Sequence, residues 1–372
     1  MEKRISVVIP NYNKAENIGK CLNAVFSSRY KNLEVVVVDD NSEDGSADII
    51  KQFPCKLIRL AEHSGTSKAR NLGARHSSGE IIFFTDADCL LQEDTLSIIN
   101  ETFISYGVNP PASRCNASQQ REPSPFRKGG NTPLNPLLIE GKNPHGGVII
   151  GGTYTRMPFD TGFFSIFQSV FINYSETKNI ENPDYIAAHA MIIDPQIFEE
   201  SGGFPEDFLP IIEDVEFSHR LRRMGYKLIM NPDIRVRHIF DFSFAKSMRN
   251  AFRKSRYWNM YSLGNRDLLT DSGAASVELK TSAASFFLSI VFLSLGLFLQ
   301  EPVFLYLLPL LFLLNAYISR GLIKAFYETK GGLFAGLSFM YFSLLYPLPV
   351  GMGALSGVIQ HVFKGNYQRI YK

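Results

Sequence analysis

Gly79-Glu80-Ile81-Ile82-Phe83-Phe84-Thr85-Asp86-Ala87-Asp88 is an apolar run opened by glycine and closed by two carboxylates. A short run that is apolar at every position reads as a strand buried on both faces, the mark of a parallel sheet. Side chains at i and i+2 of a strand point the same way. If the strand continues, Asp86 and Asp88 face one point in the crevice beyond its carboxyl end, where open α/β sheets bind ligands. Two hard oxygen donors at one point suit Mg²⁺ or Mn²⁺ bridging to a phosphorylated substrate. The alternative is a helix N-cap followed by a solvated turn, since Asp favours both.

The flanking sequence repeats the pattern. Strands are expected over 5–9, 33–38, 56–60 and 80–85, and helices over 15–26, 46–52, 67–76 and 94–103. That alternation predicts a parallel sheet with helices on its faces. Residues 105–147 are dense in Pro, Gly, Asn and Ser and are expected to form a flexible loop. Regular structure is expected to resume with strands over 148–151 and 187–193. A helix over 195–200 follows, with Pro195 in its first turn. A helix over 213–224 and strands over 227–230 and 235–239 complete the series.

The chain has 372 residues, which sets a soft prior of two domains. Its formal net charge of +2 says little, because the distribution of charge matters more than the sum; nucleic acid is not an expected partner. Cys21, Cys55, Cys89 and Cys115 show no metal-binding spacing and read as reduced thiols. Met1-Glu2-Lys3-Arg4 leads straight into the first strand, so no signal peptide is expected.

The character changes after residue 240. Residues 243–263 carry Lys246, Arg249, Arg253, Lys254 and Arg256 without an acidic residue, and Phe244, Met248, Phe252 and Trp258 recur at near-helical spacing. Such a helix either lies on an anionic membrane surface or packs on the rest of the protein. Uncharged apolar runs at 282–299, 303–318 and 333–360 predict a membrane region. The expected division is a catalytic domain at 1–240, a basic interfacial segment at 241–281 and transmembrane helices at 282–372. Arg320, Lys324 and Lys330 read as a cytosolic loop, which puts the catalytic part in the cytoplasm.

The elements I-P-N-Y-N (9–13), V-D-D-N-S-E-D-G-S (38–46), A-R-N-L-G-A (69–74), T-D-A-D (85–88), G-G-F-P-E-D (202–207) and I-E-D-V-E-F-S-H-R-L-R-R-M-G-Y (212–226) follow in order. In this the chain resembles the family 2 glycosyltransferases. The resemblance implies the GT-A fold, a Rossmann-like α/β nucleotide-diphospho-sugar transferase domain, followed here by an α-helical transmembrane region. It implies a nucleotide-sugar pocket of Pro10, Tyr12, Glu16, Asp39, Asp40, Lys68, Arg70, Asp86 and Ala87. Asp39 also reads as a cap of the following helix, and Arg70 as part of a structural salt bridge. Asn71 is expected to hold neighbouring loops together. The metal would rest on Asp86 and Asp88, with His238 as a further ligand. Asp214 is the implied general base and Glu213 the fallback. His189 sits near the acceptor side with its role open.

The resemblance implies an inverting, metal-dependent transfer of a single sugar from a nucleotide-diphospho-sugar, UDP being the expected nucleotide. The acceptor would be a hydroxyl of a lipid-linked or cell-envelope glycan at the cytosolic membrane face. Lys254-Ser255-Arg256-Tyr257-Trp258 only approximates the Q-x-x-R-W of processive synthases, which favours single transfer. Two alternatives stand beside this reading. One is a polyprenyl-phosphate sugar synthase, whose anionic acceptor needs no base. The other is a non-catalytic nucleotide-sugar-binding membrane scaffold. A nucleotidyltransferase is disfavoured, because no Gly-rich basic loop follows the first strand.

Overall fold

In the computed structural model, residues 2–107 and 147–363 are described. The loop expected at 105–147 and the basic tail from Lys364 lie almost wholly outside the described residues. Strands β1 (Ile5–Asn11), β2 (Leu33–Asp39), β3 (Lys56–Arg59) and β4 (Ile81–Phe84) run parallel. Helices α1 (Ala15–Phe26), α2 (Ser46–Ile50) and α3 (Thr66–Arg75) connect them. The chain continues through β5 (Cys89–Leu91), α4 (Thr95–Gly107), β6 (Val148–Tyr154), α5 (Phe163–Thr177), β7 (Met191–Ile193), α6 (Pro195–Glu200), α7 (Glu213–Arg223) and β8 (Lys227–His238). All eight strands form one sheet in the order β3-β2-β1-β4-β7-β6-β8-β5.

The sheet is mixed rather than parallel. β7 runs antiparallel to β4 and β6, and β5 runs antiparallel to β8. The period-2 logic holds at its centre. Ile5, Val7 and Ile9 of β1 and Ile81 and Phe83 of β4 enter one core, whereas Val8, Ile82 and Phe84 enter the core on the opposite face. Both faces are buried, which is why these strands are apolar throughout.

Several expected elements change at their edges. The strands expected over 227–230 and 235–239 are one strand, β8, which stays paired with β6 through a register shift between Gly151 and Thr153. The strand expected over 187–193 is confined to β7, because Ala188–Ala190 form a 3₁₀ turn that carries His189. Two elements were not foreseen. β5 has three residues, too few to show a period, and α5 is buried around nearly its whole circumference, so no polar face marks its repeat.

The C-terminal part is helical: α8 (Phe244–Asn265), α9 (Val277–Leu299), α10 (Val303–Ile318), α11 (Arg320–Met340) and α12 (Pro347–Phe363). The Ser243 and Ser276 hydroxyls accept the N–H groups of Lys246 and Leu279 and cap α8 and α9. The reading of three membrane runs reduces to two helical stretches long and apolar enough to cross a membrane. These are Val277–Leu299, of mean hydropathy 2.2, and Arg320–Phe363, of mean hydropathy 1.5. α10 has 16 residues and falls short. Arg320 and Lys324 lie on α11 rather than in a loop, whereas Lys330 and Gly331 form a non-helical break within it. Pro347 and Pro349 do not end the run; a π turn at Tyr341–Leu345 leads into α12.

Helix α8 packs along α12 where glycines remove the side-chain layer. A Cβ on Gly353 would lie 2.4 Å from the Phe252 carbonyl oxygen, and one on Gly357 2.4 Å from that of Arg256. On its other side, Trp258, Met260 and Tyr261 pack on Leu209, Ile212 and Val215. The apolar side of the basic helix is thus taken up largely by protein.

Gly79 shows how tightly the opening of β4 is set. Its N–H donates to Ser6 Oγ at 2.8 Å. A Cβ there would lie 2.7 Å from the Arg4 carbonyl oxygen and 2.8 Å from the Ser6 nitrogen. Gly79→Ala is expected to lower stability by about 1–3 kcal/mol, read as a fall in melting temperature. Gly336→Ala, which meets nothing within 4 Å, should leave the melting temperature unchanged or raise it.

Candidate functional site

The first wall of the site is built where β1 and β2 end. Asn13 and Asn41 take left-handed backbone, which Asn tolerates better than most residues. These turns bring the two strand ends together. Asp39 is fully buried: Asn11 Nδ2 donates to Oδ1 at 2.8 Å, while the Ser42 N–H and Arg59 Nε donate to Oδ2 at 3.3 and 3.1 Å. Asp40 accepts from the Ser64 and Gly65 N–H groups at 2.7 and 2.8 Å and lies 2.9 Å from His63 Nδ1. It thereby fixes the entry to α3. Tyr12 is exposed and stacks on His63, with ring centroids 3.9 Å apart.

The second wall is the turn after β4. The strand stops at Phe84, and the Cys89 N–H donates to the Asp86 carbonyl at 3.0 Å, so Asp86 and Asp88 sit on a turn between β4 and β5. The same-face argument for a continuing strand therefore does not apply to this pair; the turn sets their directions. Arg70 of α3 is buried and donates to Asp86 Oδ1 at 2.8 Å and to Glu213 Oε1 at 2.5 Å. Burial opposes ionisation of Asp86, but the Arg70 charge beside it outweighs burial and holds its carboxyl below the usual range. The salt-bridge reading of Arg70 is the one the structure displays.

Asp88 has different company. Lys14 Nζ lies 2.7 Å from Oδ2, and His238 Nε2 lies 3.3 Å from Oδ1. Burial lowers the pKa of His238, which favours the neutral imidazole that binds metals, and its Nδ1 is buried without a hydrogen-bond partner. Asp88, Cys89 and His238 bring ligand atoms within 4.8 Å of one another. Burial pushes the Cys89 thiol far above its ordinary value, so it stays protonated and is a poor ligand. Asp88 and His238 therefore fit a divalent cation, with Asp86 on the same turn but held by Arg70.

The third wall is the start of α7. Ile212 precedes it with φ of 69°, a strained conformation for a β-branched residue. Asp214 accepts the Ala188 N–H at 3.2 Å and the Val215 N–H at 2.9 Å. Burial, reinforced by the charge of Glu213, raises its pKa to about 6 despite Arg70.

These walls enclose a cleft of about 400 Å³ lined by Pro10, Tyr12, Asp40, Arg70, Asp86, Ala87, Asp88, Glu213 and His238. A neighbouring cleft of about 970 Å³ shares Lys14, Asp88 and His238 with it and includes Glu16. Of the residues singled out in the sequence, Asp39, Lys68 and Asp214 line neither cleft. Lys68 Nζ instead donates to Ser64 Oγ at 3.3 Å. Asn71 does hold loops together, since its amide exchanges hydrogen bonds with the Phe204 backbone. His189 stacks on Tyr154 and lies 3.6 Å from Glu176. Lys14, Arg59, His63 and Arg253 were missed. Each is a single basic residue whose partner lies far along the chain or on another element, so no local pattern marks it.

Residues 6–135 match the family profile Glycosyl transferase family 2. The chain is 30% identical over 237 residues to glycosyltransferase AglE of Haloferax volcanii, covering 62% of this chain and 65% of that protein. It is 25% identical over 204 residues to glycosyltransferase GlyA of Streptococcus pneumoniae serotype 4, covering 54% of this chain and 26% of that one. The chain thus spans less than two thirds of the length of either relative. Its fold is similar to that of mannosyltransferase PcManGT from Pyrobaculum calidifontis, solved in complex with GDP-Man and Mn²⁺. That comparison has a TM-score of 0.52 at 18% identity, over 98% of this chain and 88% of the other. The match to family 2 glycosyltransferases thus lies in residues 6–135, and the fold is GT-A-like.

Arg70→Met would leave Asp86 and Glu213 facing each other without their shared cation. Breaking a buried pair in this way is expected to cost about 3–5 kcal/mol, read by denaturant unfolding. Arg70→Lys should rescue only a fraction, because one ammonium does not reproduce a fork that meets two carboxylates.

Proposed function

We propose that this chain is a family 2 glycosyltransferase that transfers a single sugar, with inversion, from a nucleotide-diphospho-sugar to a hydroxyl of a lipid-linked or cell-envelope glycan. The observation that carries this reading is the meeting, at one cleft, of the Asp86–Asp88 turn, His238, Tyr12 and Glu213, with Asp214 the next residue of α7. In this reading residues 1–240 form the catalytic domain, 241–281 an interfacial segment and 282–372 the membrane helices, with the catalytic domain on the cytosolic side.

Pro10, Tyr12 and Asp40 would line the base pocket, with the Tyr12–His63 pair offering a stacking surface. Asp39 would act indirectly, through the Asn11, Ser42 and Arg59 contacts that shape that pocket. Asp88 and His238, with Asp86 beside them, would hold Mn²⁺ or Mg²⁺, which supplies positive charge against the leaving diphosphate. Lys14 adds a second cation at Asp88; burial works against its charge, but Asp88 raises its pKa and keeps it protonated.

Asp214 would take the acceptor proton. Its raised pKa, about 6, suits a base working near neutral pH. As the acceptor oxygen gains electron density it attacks the anomeric carbon from the face opposite the nucleotide. The bond to the diphosphate oxygen breaks, and the electron pair leaves with the nucleoside diphosphate. One displacement inverts the anomeric centre. Glu213 lines the cleft but already shares its charge with Arg70, so it serves as the fallback base and as a positioning group.

The test is a transfer screen on the full chain in detergent, with UDP-, GDP- and dTDP-sugars, Mg²⁺ or Mn²⁺, and a total lipid extract as acceptor. We expect release of nucleoside diphosphate from one donor, lost on chelation of the metal and in Asp88→Ala. Asp214→Asn should lower transfer by roughly 10²–10⁴-fold while donor binding persists. The acid limb of kcat/KM should fall near pH 6 as Asp214 protonates. Near-normal turnover of Asp214→Asn would assign the reaction to a phosphate acceptor, which needs no base. Donor binding without turnover on any acceptor would favour a binding scaffold.

A further inference from the structure

A second cavity, of about 470 Å³, opens where the catalytic part meets the apolar helices. Its size falls within the ~300–1,000 Å³ typical of ligand pockets. α5, α8, α9 and α12 all contribute, and the lining is overwhelmingly apolar, with Phe171, Trp258, Leu279 and Phe287 among its walls. α9 is one of the two stretches able to cross a membrane, so the cavity is continuous with the surface that would face lipid.

Two polar groups stand out in this lining. Gln168 is 1% exposed, and its Oε1 has no hydrogen-bond partner. Lys254 is exposed and lines the cavity, and its ammonium has neither a hydrogen bond nor an ion pair. Desolvation by the surrounding protein lowers its pKa, although the charges of Asp214 and Glu176 act in the opposite direction. An accessible ammonium without a partner beside an apolar wall is free to take an anionic headgroup whose chain lies on that wall. Lys254 also lies next to Arg253, which lines the nucleotide-sugar cleft. The cavity and the cleft thus share α8 as a wall.

We propose that this cavity binds the acceptor lipid, its phosphate on the Lys254 ammonium and its hydrocarbon chain along α9 and α12. The inference rests on the transferase reading for the word acceptor, but the binding itself does not. A chain alone would fill the apolar walls, and a phosphate alone would meet only Lys254 and Lys280, the latter already donating to the Thr270 carbonyl. The two together satisfy the recess.

Trp258 is the chain's single tryptophan and lines the cavity, so its fluorescence reports occupancy. The full chain in phosphatidylcholine nanodiscs would be titrated with farnesyl phosphate, farnesol and inorganic phosphate, without nucleotide sugar or metal. We expect a saturable change with farnesyl phosphate and none with inorganic phosphate. Farnesol should bind at least about tenfold more weakly, as a hydrogen bond to a charged group predicts. Lys254→Met should erase the preference for the phosphate and Lys254→Arg should keep it. Ala283→Leu, which narrows the cavity from α9, should weaken both ligands. Equal binding of farnesol and farnesyl phosphate, an unchanged preference in Lys254→Met, or no saturable signal would each overturn the proposal. Because the titration involves no turnover, lipid binding with failed transfer would sink the enzymatic reading and leave this site standing.

Discussion

The fork of Arg70 between Asp86 and Glu213 holds the site together. It joins three elements that the sheet alone does not fix to one another: α3, the turn after β4 and the start of α7. Asp86 and Glu213 are 127 positions apart in the chain, and each would repel the other if the guanidinium were absent. A single buried cation serving two anions in water-poor surroundings interacts far more strongly than the same groups at the surface. The turn carrying Asp88 and the helix carrying Asp214 inherit their positions from that bridge.

The same charge divides the carboxylates by role. Asp86 touches Arg70 and is held ionised. Asp214 lies one residue beyond the second contact, feels burial and Glu213 more than Arg70, and is pushed up to about 6. Neighbouring carboxylates with pKa values driven apart give a site both a fixed anion and a titrating group near neutral pH. The strained Ile212 belongs to this arrangement: its left-handed backbone precedes α7, which starts with Glu213 at the cleft and Asp214 one residue on.

The sequence made the centre of the sheet readable because β1, β2 and β4 are buried on both faces and show it as uninterrupted apolar runs. It made the site readable as a set of strand ends, since the polar clusters at 11–13, 39–46 and 86–88 follow directly on those runs. What escaped was whatever depends on distant pairing. The antiparallel insertion of β7 beside β4 leaves no mark in a three-residue strand. The turn that carries Asp86 and Asp88 looks like strand until β5 is known to follow. Arg70 reads equally as a phosphate ligand or a structural ion pair, and the ion pairs with Asp86 and Glu213 come into view only when the distant elements are placed. The apolar C-terminal region was legible in composition but not in segmentation: Arg320 and Lys324 lie within α11, Lys330 falls at its non-helical break, and a π turn leads into α12.

Helix α8 ties these two halves into one device. Its charged residues read from sequence as a membrane-facing stripe, yet the helix is pressed onto α12 at Gly353 and Gly357 and onto the loop before α7 through Trp258 and Tyr261. Consecutive residues on it serve different compartments, Arg253 the polar cleft and Lys254 the apolar cavity. Successive side chains on a helix diverge by about 100°, so one rigid element can line two chambers. The packing that fixes α8 against α12 thereby fixes the distance between the two chambers. A shift of the apolar helices relative to the sheet would be transmitted to the Glu213-Asp214 end of α7 through Trp258, Ile212 and Val215.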